Sequence, residues 1–239
     1  NSGSIQLGVS EVSEPSTELN GSMQKCGAVY VAKGGSFSIE GGQIQKCSAK
    51  QGGAIYCEGT GQMWGYTTTI KNCSANYGGA IYAASGCRFH IVSGNVEGCK
   101  ASKEGGSFWA GGPTEGVNAA ECGIGNATIK GGSEPLRGGN IYNAGNMTIV
   151  GSKITNGIAS DRGGNIYSCG PLRLSSESEV LDGICGRGAG IGNYGGNVEL
   201  DSVTVKGNHS CLIDSRCGAG LDTKDGTVTI KGSTLITQN

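Results

Sequence analysis

A five-residue segment that returns along the whole chain constrains this sequence more than any other feature. It reads Cys26-Gly27-Ala28-Val29-Tyr30, Gly52-Gly53-Ala54-Ile55-Tyr56, Gly78-Gly79-Ala80-Ile81-Tyr82 and Gly105-Gly106-Ser107-Phe108-Trp109. It continues as Gly138-Gly139-Asn140-Ile141-Tyr142, Gly163-Gly164-Asn165-Ile166-Tyr167, Gly188-Ala189-Gly190-Ile191-Gly192 and Gly218-Ala219-Gly220-Leu221-Asp222. Successive starts lie 26, 26, 27, 33, 25, 25 and 30 residues apart. Self-similarity at a period of roughly 20–50 residues is the mark of a solenoid, a propeller or an array.

Each repeat holds a second apolar pair that alternates with a polar residue, as in Phe37-Ser38-Ile39, Phe89-His90-Ile91, Met147-Thr148-Ile149, Leu172-Arg173-Leu174, Val198-Glu199-Leu200 and Val228-Thr229-Ile230. Alternation with period two is the pattern of a strand buried on one face. A third, shorter strand is expected around Ile44, Ile70, Val96, Ile154, Val180, Val203 and Leu235. Three short strands per repeat, separated by Gly, Ser and Asn, leave no room for helices. A single coil cannot bury its own apolar face, so coils must stack about 4.8 Å apart. The expectation is an all-β, right-handed parallel β-helix of about eight coils over residues 26–239, a rod roughly 35–40 Å long. Residues 1–25 form a polar extension that reads as a cap or as a strand donated to a neighbour.

Composition agrees with a solenoid. Glycine supplies 47 of 239 residues and proline only 4, without the strict three-residue period of collagen. The glycine pairs are expected at corners, where positive φ and close approach of neighbouring coils are needed. A net charge of −1 gives no field for nucleic acid. No apolar run has the length of a membrane-spanning helix, so no membrane insertion is expected. Eleven cysteines suggest an oxidising compartment or buried thiols in a reducing one, and the first, an extracellular or cell-surface setting, is favoured. The polar start at Asn1-Ser2-Gly3 reads as a mature or trimmed product. The ending Thr234-Leu235-Ile236-Thr237-Gln238-Asn239 reads as an uncapped coil, which suggests a longer stalk or end-to-end homopolymer.

The GGA[I/V]Y coils resemble the GGAI repeats of chlamydial polymorphic outer-membrane protein passengers. More broadly, they resemble the pectin-lyase-like β-helix repeats of bacterial and protist surface proteins. The resemblance spans residues 26–239 and is strongest over 26–104 and 138–187. It implies the fold and a surface location, and leaves the activity open.

In a solenoid a repeat position becomes a column, so candidate sites are columns. The fourth position of the segment is always apolar and faces inward, so the third and fifth are expected outward. The fifth carries Tyr30, Tyr56, Tyr82, Trp109, Tyr142 and Tyr167. Such a ladder suits stacking on sugar rings or a partner protein, or self-stacking that stabilises the sheet. A column of Arg137, Arg162, Arg187 and, one place out of register, Arg216 would grip acidic glycans, or pair with nearby Asp161, Asp182 and Asp214.

Cys47, Cys73 and Cys99 form a column, and Cys211 and Cys217 bracket an insertion, which makes these five the disulfide candidates. Glycan acceptors in Asn-x-Ser/Thr sequences are Asn20, Asn72, Asn126, Asn146 and Asn208. No cysteine or histidine spacing indicates a metal, and no cofactor is expected.

An extracellular structural or adhesive scaffold, or fibre unit, with glycans or surface proteins as partners is the leading function. A polysaccharide lyase, hydrolase or epimerase is the alternative, although no paired-carboxylate motif appears. His90 and His209, the only histidines, are expected at the surface. Ice binding would need a flat Thr array, whereas the middle position of the second strand runs Ser38, His90, Thr128, Thr148, Arg173, Glu199 and Thr229. The long fourth coil, Gly105 to Arg137, carries an insertion around Pro113–Cys122 that is the best place for a specific contact.

Overall fold

The computed structural model describes residues 26–211 and 217–239, together with the strand backbone at 4–7 and 11–13. The described residues contain no helix and form a parallel β-solenoid of about eight turns. Strands from successive turns stack into sheets of nine, eight and nine strands. The opening sheet is built from the glycine-led segments, such as Ile55–Cys57, Ile81–Ala83 and Ile141–Asn143. The second sheet holds the alternating strands, such as Arg88–Ile91, and the third the short ones, such as Thr69–Lys71. Strands Ser4–Leu7 and Glu11–Ser13 pair in parallel with Ser36–Glu40 and Gln43–Gln45, extending the second and third sheets beyond the first turn of the repeat.

Two glycines open five of the turns, for two different reasons. The first takes the left-handed conformation, with φ of 61° at Gly52, 62° at Gly78 and 66° at Gly105, which costs glycine little. The second has ordinary φ but no space. A Cβ on Gly79 would fall well inside van der Waals contact of the Gly106 carbonyl oxygen, and one on Gly106 would meet that of Gly139. The corner is therefore closed by backbone against backbone.

The fourth-position column fills the core, with Ile55, Ile81, Phe108, Ile141, Ile166 and Ile191 all at 0 % exposure. The third position, expected to face outward, is buried instead: Ala54, Ala80, Ser107, Asn140 and Asn165 are each at 0 %. The residue sits at the corner just before strand alternation begins, so period two does not reach it. Its asparagines are satisfied inside, while the buried Ser107 Oγ has no hydrogen-bond partner. Asn140 Nδ2 donates to Asn165 Oδ1 at 2.8 Å, and Asn165 Nδ2 donates to Asn208 Oδ1 at 3.1 Å. The backbone N–H groups of Gly132, Gly157 and Gly183 donate to these same three amide oxygens. The result is an internal amide ladder along the axis, fully hydrogen-bonded as a buried polar group must be.

Three register details differ from the sequence expectation. In the third sheet Val205 pairs with the exposed Ile236, each within two residues of the expected Val203 and Leu235, and Ile129 occupies the place between Val96 and Ile154. Gly123, and not Thr128, is the in-register partner of His90 and Thr148, because Thr128 belongs to the third sheet. The fourth-coil insertion closes at Ala120, so Cys122 lies in the regular strand Glu121–Gly125 and is buried.

The glycine geometry makes a direct prediction. Gly79→Ala should destabilise the fold by roughly 1–3 kcal/mol through overpacking. Gly125→Ala should stay within about 0.5 kcal/mol, since a Cβ there lies no nearer than 3.4 Å to any atom. Urea unfolding of the two variants measures the contrast.

Candidate functional site

Parallel pairing in register places the fifth-position rings one above another: Tyr30 opposite Tyr56, Tyr56 opposite Tyr82, Tyr82 opposite Trp109, and so to Tyr142 and Tyr167. Their centroids lie 5.6, 5.0, 4.2, 5.9 and 5.1 Å apart with planes within 25° of parallel. Tyr194 extends the stack at 5.6 Å from Tyr167. It was missed because the repeat's fifth position there is Gly192. Residues two apart on a strand share a face, so Tyr194 swings back over Gly192; the period-two rule held the clue.

The ring faces thus meet each other. Tyr56 and Tyr167 are only 4 % and 5 % exposed, and Tyr30, at the end of the stack, is 46 % exposed. Burial pushes the Tyr142 hydroxyl above its ordinary pKa, and burial followed by the Asp222 hydrogen bond does the same for Tyr194.

The arginine column runs beside this stack. Arg137 and Arg162 lie over the rings of Tyr167 and Tyr194 at 5.4 and 4.2 Å, a cation–π arrangement. Glu104 approaches Arg137 at 3.7 Å, and the Asp161 carboxylate lies 4.0 and 3.7 Å from Arg137 and Arg162. Arg187 joins the column through a parallel bridge to Arg162, and its N–H donates to the Asp161 carbonyl. Positive charge here alternates with negative charge. Arg216, with Asp214, lies outside the described residues.

No disulfide joins any of the cysteines among the described residues. Cys47, Cys73 and Cys99 stack in adjacent coils, and their Sγ atoms donate to the carbonyls of Gln45, Lys71 and Glu97 at 3.3, 3.4 and 3.5 Å. Contact with Cys47 lowers the Cys73 pKa, but the Cys99 hydrogen bond and burial together push it up to about 12. Cys211 is exposed, Cys217 is half-buried, and the residues between them are not described. Sequence reasoning missed a second cluster, Cys57, Cys87 and Cys122, because its members occupy different positions of the repeat.

Of the glycan acceptors, Asn72, Asn126 and Asn146 are exposed, and Asn20 lies outside the described residues. Asn208 is corrected. It is at 0 % exposure, and its Nδ2 donates to Asn239 Oδ1 and to the carbonyls of Val180 and Lys206, so a glycan on that nitrogen would break the ladder. His90 and His209 are exposed.

The fourth-coil insertion helps to build a concave feature. The chain leaves the coil at Gly111 and returns at Ala120, whose N–H donates to the Gly111 carbonyl at 2.9 Å. Between them Thr114 and Val117 exchange two backbone hydrogen bonds of 3.0 Å. Gly86 in the preceding coil has no side chain to obstruct Val117, and Ser85 Oγ donates to the Gly112 carbonyl at 2.6 Å. The loop so pinned forms one wall of an open cleft of about 970 Å³. Lys33, Tyr56, Glu58, Tyr82, Arg88, Asn118 and Glu121 are among its lining residues. Tyr30 and Tyr56 donate hydroxyls to Glu58 at 2.7 and 3.1 Å, and Arg88 grips Glu121 at 2.8 and 3.0 Å. The cleft thus offers hydroxyl, amide and charge-paired groups with two aromatic edges. Among the described residues no cluster of His, Cys, Asp or Glu has the makings of a metal site.

Comparison with protein-family models, curated proteins and solved structures finds no match to this chain.

The ring stack predicts graded losses. Trp109→Ala removes contacts on both faces and should cost roughly 3 kcal/mol or more. Tyr30→Ala removes one exposed contact and should cost under about 1.5 kcal/mol. Equal losses in denaturant unfolding would mean that the stack does not bear on stability.

Proposed function

We propose that this protein is an extracellular scaffold of structural or adhesive role, which engages a glycan or the surface of another protein through the cleft beside the Thr114–Val117 turn. The observation that carries the reading is the cleft itself. A long insertion is pinned onto a regular rod and encloses polar side chains that the repeat does not need. Arg88 is neutralised by Glu121, and the hydroxyl and amide groups of the cleft suit a polar ligand such as a sugar chain. The GGAI-type coils and the cysteine content support a surface setting, and the coil's likeness to pectin-lyase-like and polymorphic outer-membrane passenger repeats supports the scaffold role. In this reading the aromatic stack is the spine of the rod, and its Tyr56 and Tyr82 edges are what it offers to a ligand.

A second reading has one observation in its favour: Glu58 and Glu121 both line the cleft, and glycoside hydrolysis uses two carboxylates. Against it, each carboxylate is already engaged, Glu58 by the Tyr30 and Tyr56 hydroxyls and Glu121 by Arg88.

A glycan array probed with the full chain tests both readings. Binding should weaken at least tenfold in Arg88→Ala and Asn118→Ala and stay unchanged in Arg173→Ala, which lies on the second sheet outside this cleft. The Arg88–Glu121 pair is more than half exposed, so its loss should scarcely affect folding. Equal binding by all three variants removes the cleft as the site. Release of reducing or unsaturated sugars, abolished by Glu121→Gln, would move the protein to the enzyme reading.

A further inference from the structure

The cluster of Cys57, Cys87 and Cys122 has no counterpart in the repeat, and neither the spine nor the polar lining of the cleft requires it. Cys57 ends the opening-sheet strand Ile55–Cys57, and Cys87 directly precedes the second-sheet strand Arg88–Ile91 of the next turn. The backbone brings the two to one inside corner. The Ala84 N–H donates to the Cys57 carbonyl at 2.9 Å, and the Cys87 N–H donates to the Ala84 carbonyl at 3.1 Å. Both side chains are in the core at 0 % and 1 % exposure, and the two thiols hydrogen-bond each other. Cys122, one turn on, lies in the same core, where burial foremost keeps its thiol protonated.

We propose that Cys57 and Cys87 are the pair that oxidises to an inter-coil disulfide, while Cys122 remains a thiol. The regular column is the poorer candidate on geometry. Cys47, Cys73 and Cys99 follow the parallel register of neighbouring turns, as the bridges Ser48 to Ser74 and Ser74 to Lys100 show. Their Cβ atoms therefore keep the coil spacing of about 4.8 Å, wider than the ~3.5–4.5 Å that a disulfide spans. Cys57 and Cys87 are not register partners, since Cys57 faces Ala83. They approach from two strands that meet at a corner, so the repeat spacing does not set their separation.

The oxidant is a small disulfide such as oxidised glutathione. Cys87 borders the cleft but is only 1 % exposed, so the oxidant meets it while the chain folds, before this corner closes. The Cys87 thiolate attacks one glutathione sulfur, the glutathione S–S bond breaks, and one glutathione thiolate leaves. Cys57 then attacks the Cys87 sulfur of the mixed disulfide, forms the Cys57–Cys87 bond and expels the second glutathione thiolate. Each protein thiol has given up one proton and each glutathione has taken one, and two electrons have passed from protein sulfur to glutathione.

Peptide mapping of the full chain, folded in a glutathione redox buffer, decides the matter. Free thiols are alkylated and the chain is cut with trypsin and chymotrypsin without reduction; cleavage after Tyr82 separates Cys87 from Cys73. The expected product joins the Cys57 and Cys87 peptides and is two hydrogens lighter than their sum, with Cys122 alkylated. Reduction should lower the melting temperature by roughly 5–10 °C, a shift that Cys122→Ser retains and Cys57→Ser lacks. Alkylation of both Cys57 and Cys87, or a link from either to another cysteine, overturns the assignment. The wild-type map decides even if a variant fails to fold, and the outcome is independent of whether the cleft binds a glycan.

Discussion

The backbone hydrogen bond from one coil to the next sets a separation of about 4.8 Å, and the rest of the molecule conforms to it. At the corners this spacing leaves no volume for a side chain, which is why the second glycine of the pair meets the next coil's carbonyl oxygen and not a cavity. Along the opening sheet the same spacing is close to the separation of stacked rings. Six parallel contacts, at 4.2 to 5.9 Å, therefore arise with little adjustment. At roughly 0.5–1.5 kcal/mol each, such contacts are comparable in sum to the stability of a typical domain, about 5–15 kcal/mol. The outer stack and the inner isoleucine column grip the same strands from both faces.

The interior amide ladder adds register to this adhesion. Leucine or isoleucine columns tolerate a sliding neighbour, because apolar contact has no direction. Asn140, Asn165 and Asn208 each accept from a backbone N–H and donate to the amide of the next member. A slipped coil would leave these buried groups unpaired, at a cost of about 1–3 kcal/mol each. Where Gly190 replaces asparagine in the column, the Asn208 side chain fills the space over it. The ladder is thus continued by a residue from another position of the coil.

The sequence made legible what periodicity carries. Glycine pairs, the Ile55-to-Ile191 column and the aromatic column are single positions of one repeat, and each lies where alternation puts it. The third position was misread because Ala, Ser and Asn do not declare a facing; only hydrogen bonding explains an inward Asn165. Thr128 was assigned to the wrong row, since turns of unequal length shift the count between strands. Tyr194 escaped because its ring, and not its backbone, is in the column. The Cys57–Cys87 contact joins two different repeat positions across a corner, so no column could reveal it.

These failures share a cause that bears on function. A strict repeat tends to satisfy itself: ring meets ring, Arg137 and Arg162 share Asp161, and Arg88 takes Glu121 from the next turn. Columns that look like binding surfaces in sequence become internal contacts of the rod. Unspent groups collect where the period breaks, and the fourth coil, the longest, is where it breaks most. There the chain must leave the sheet at Gly111 and return at Ala120, and the excursion raises Asn118 beside Lys33 and the edges of Tyr56 and Tyr82. The repeat supplies stiffness and the interruption supplies shape, so selectivity in such a molecule belongs to the insertion and the corner it covers.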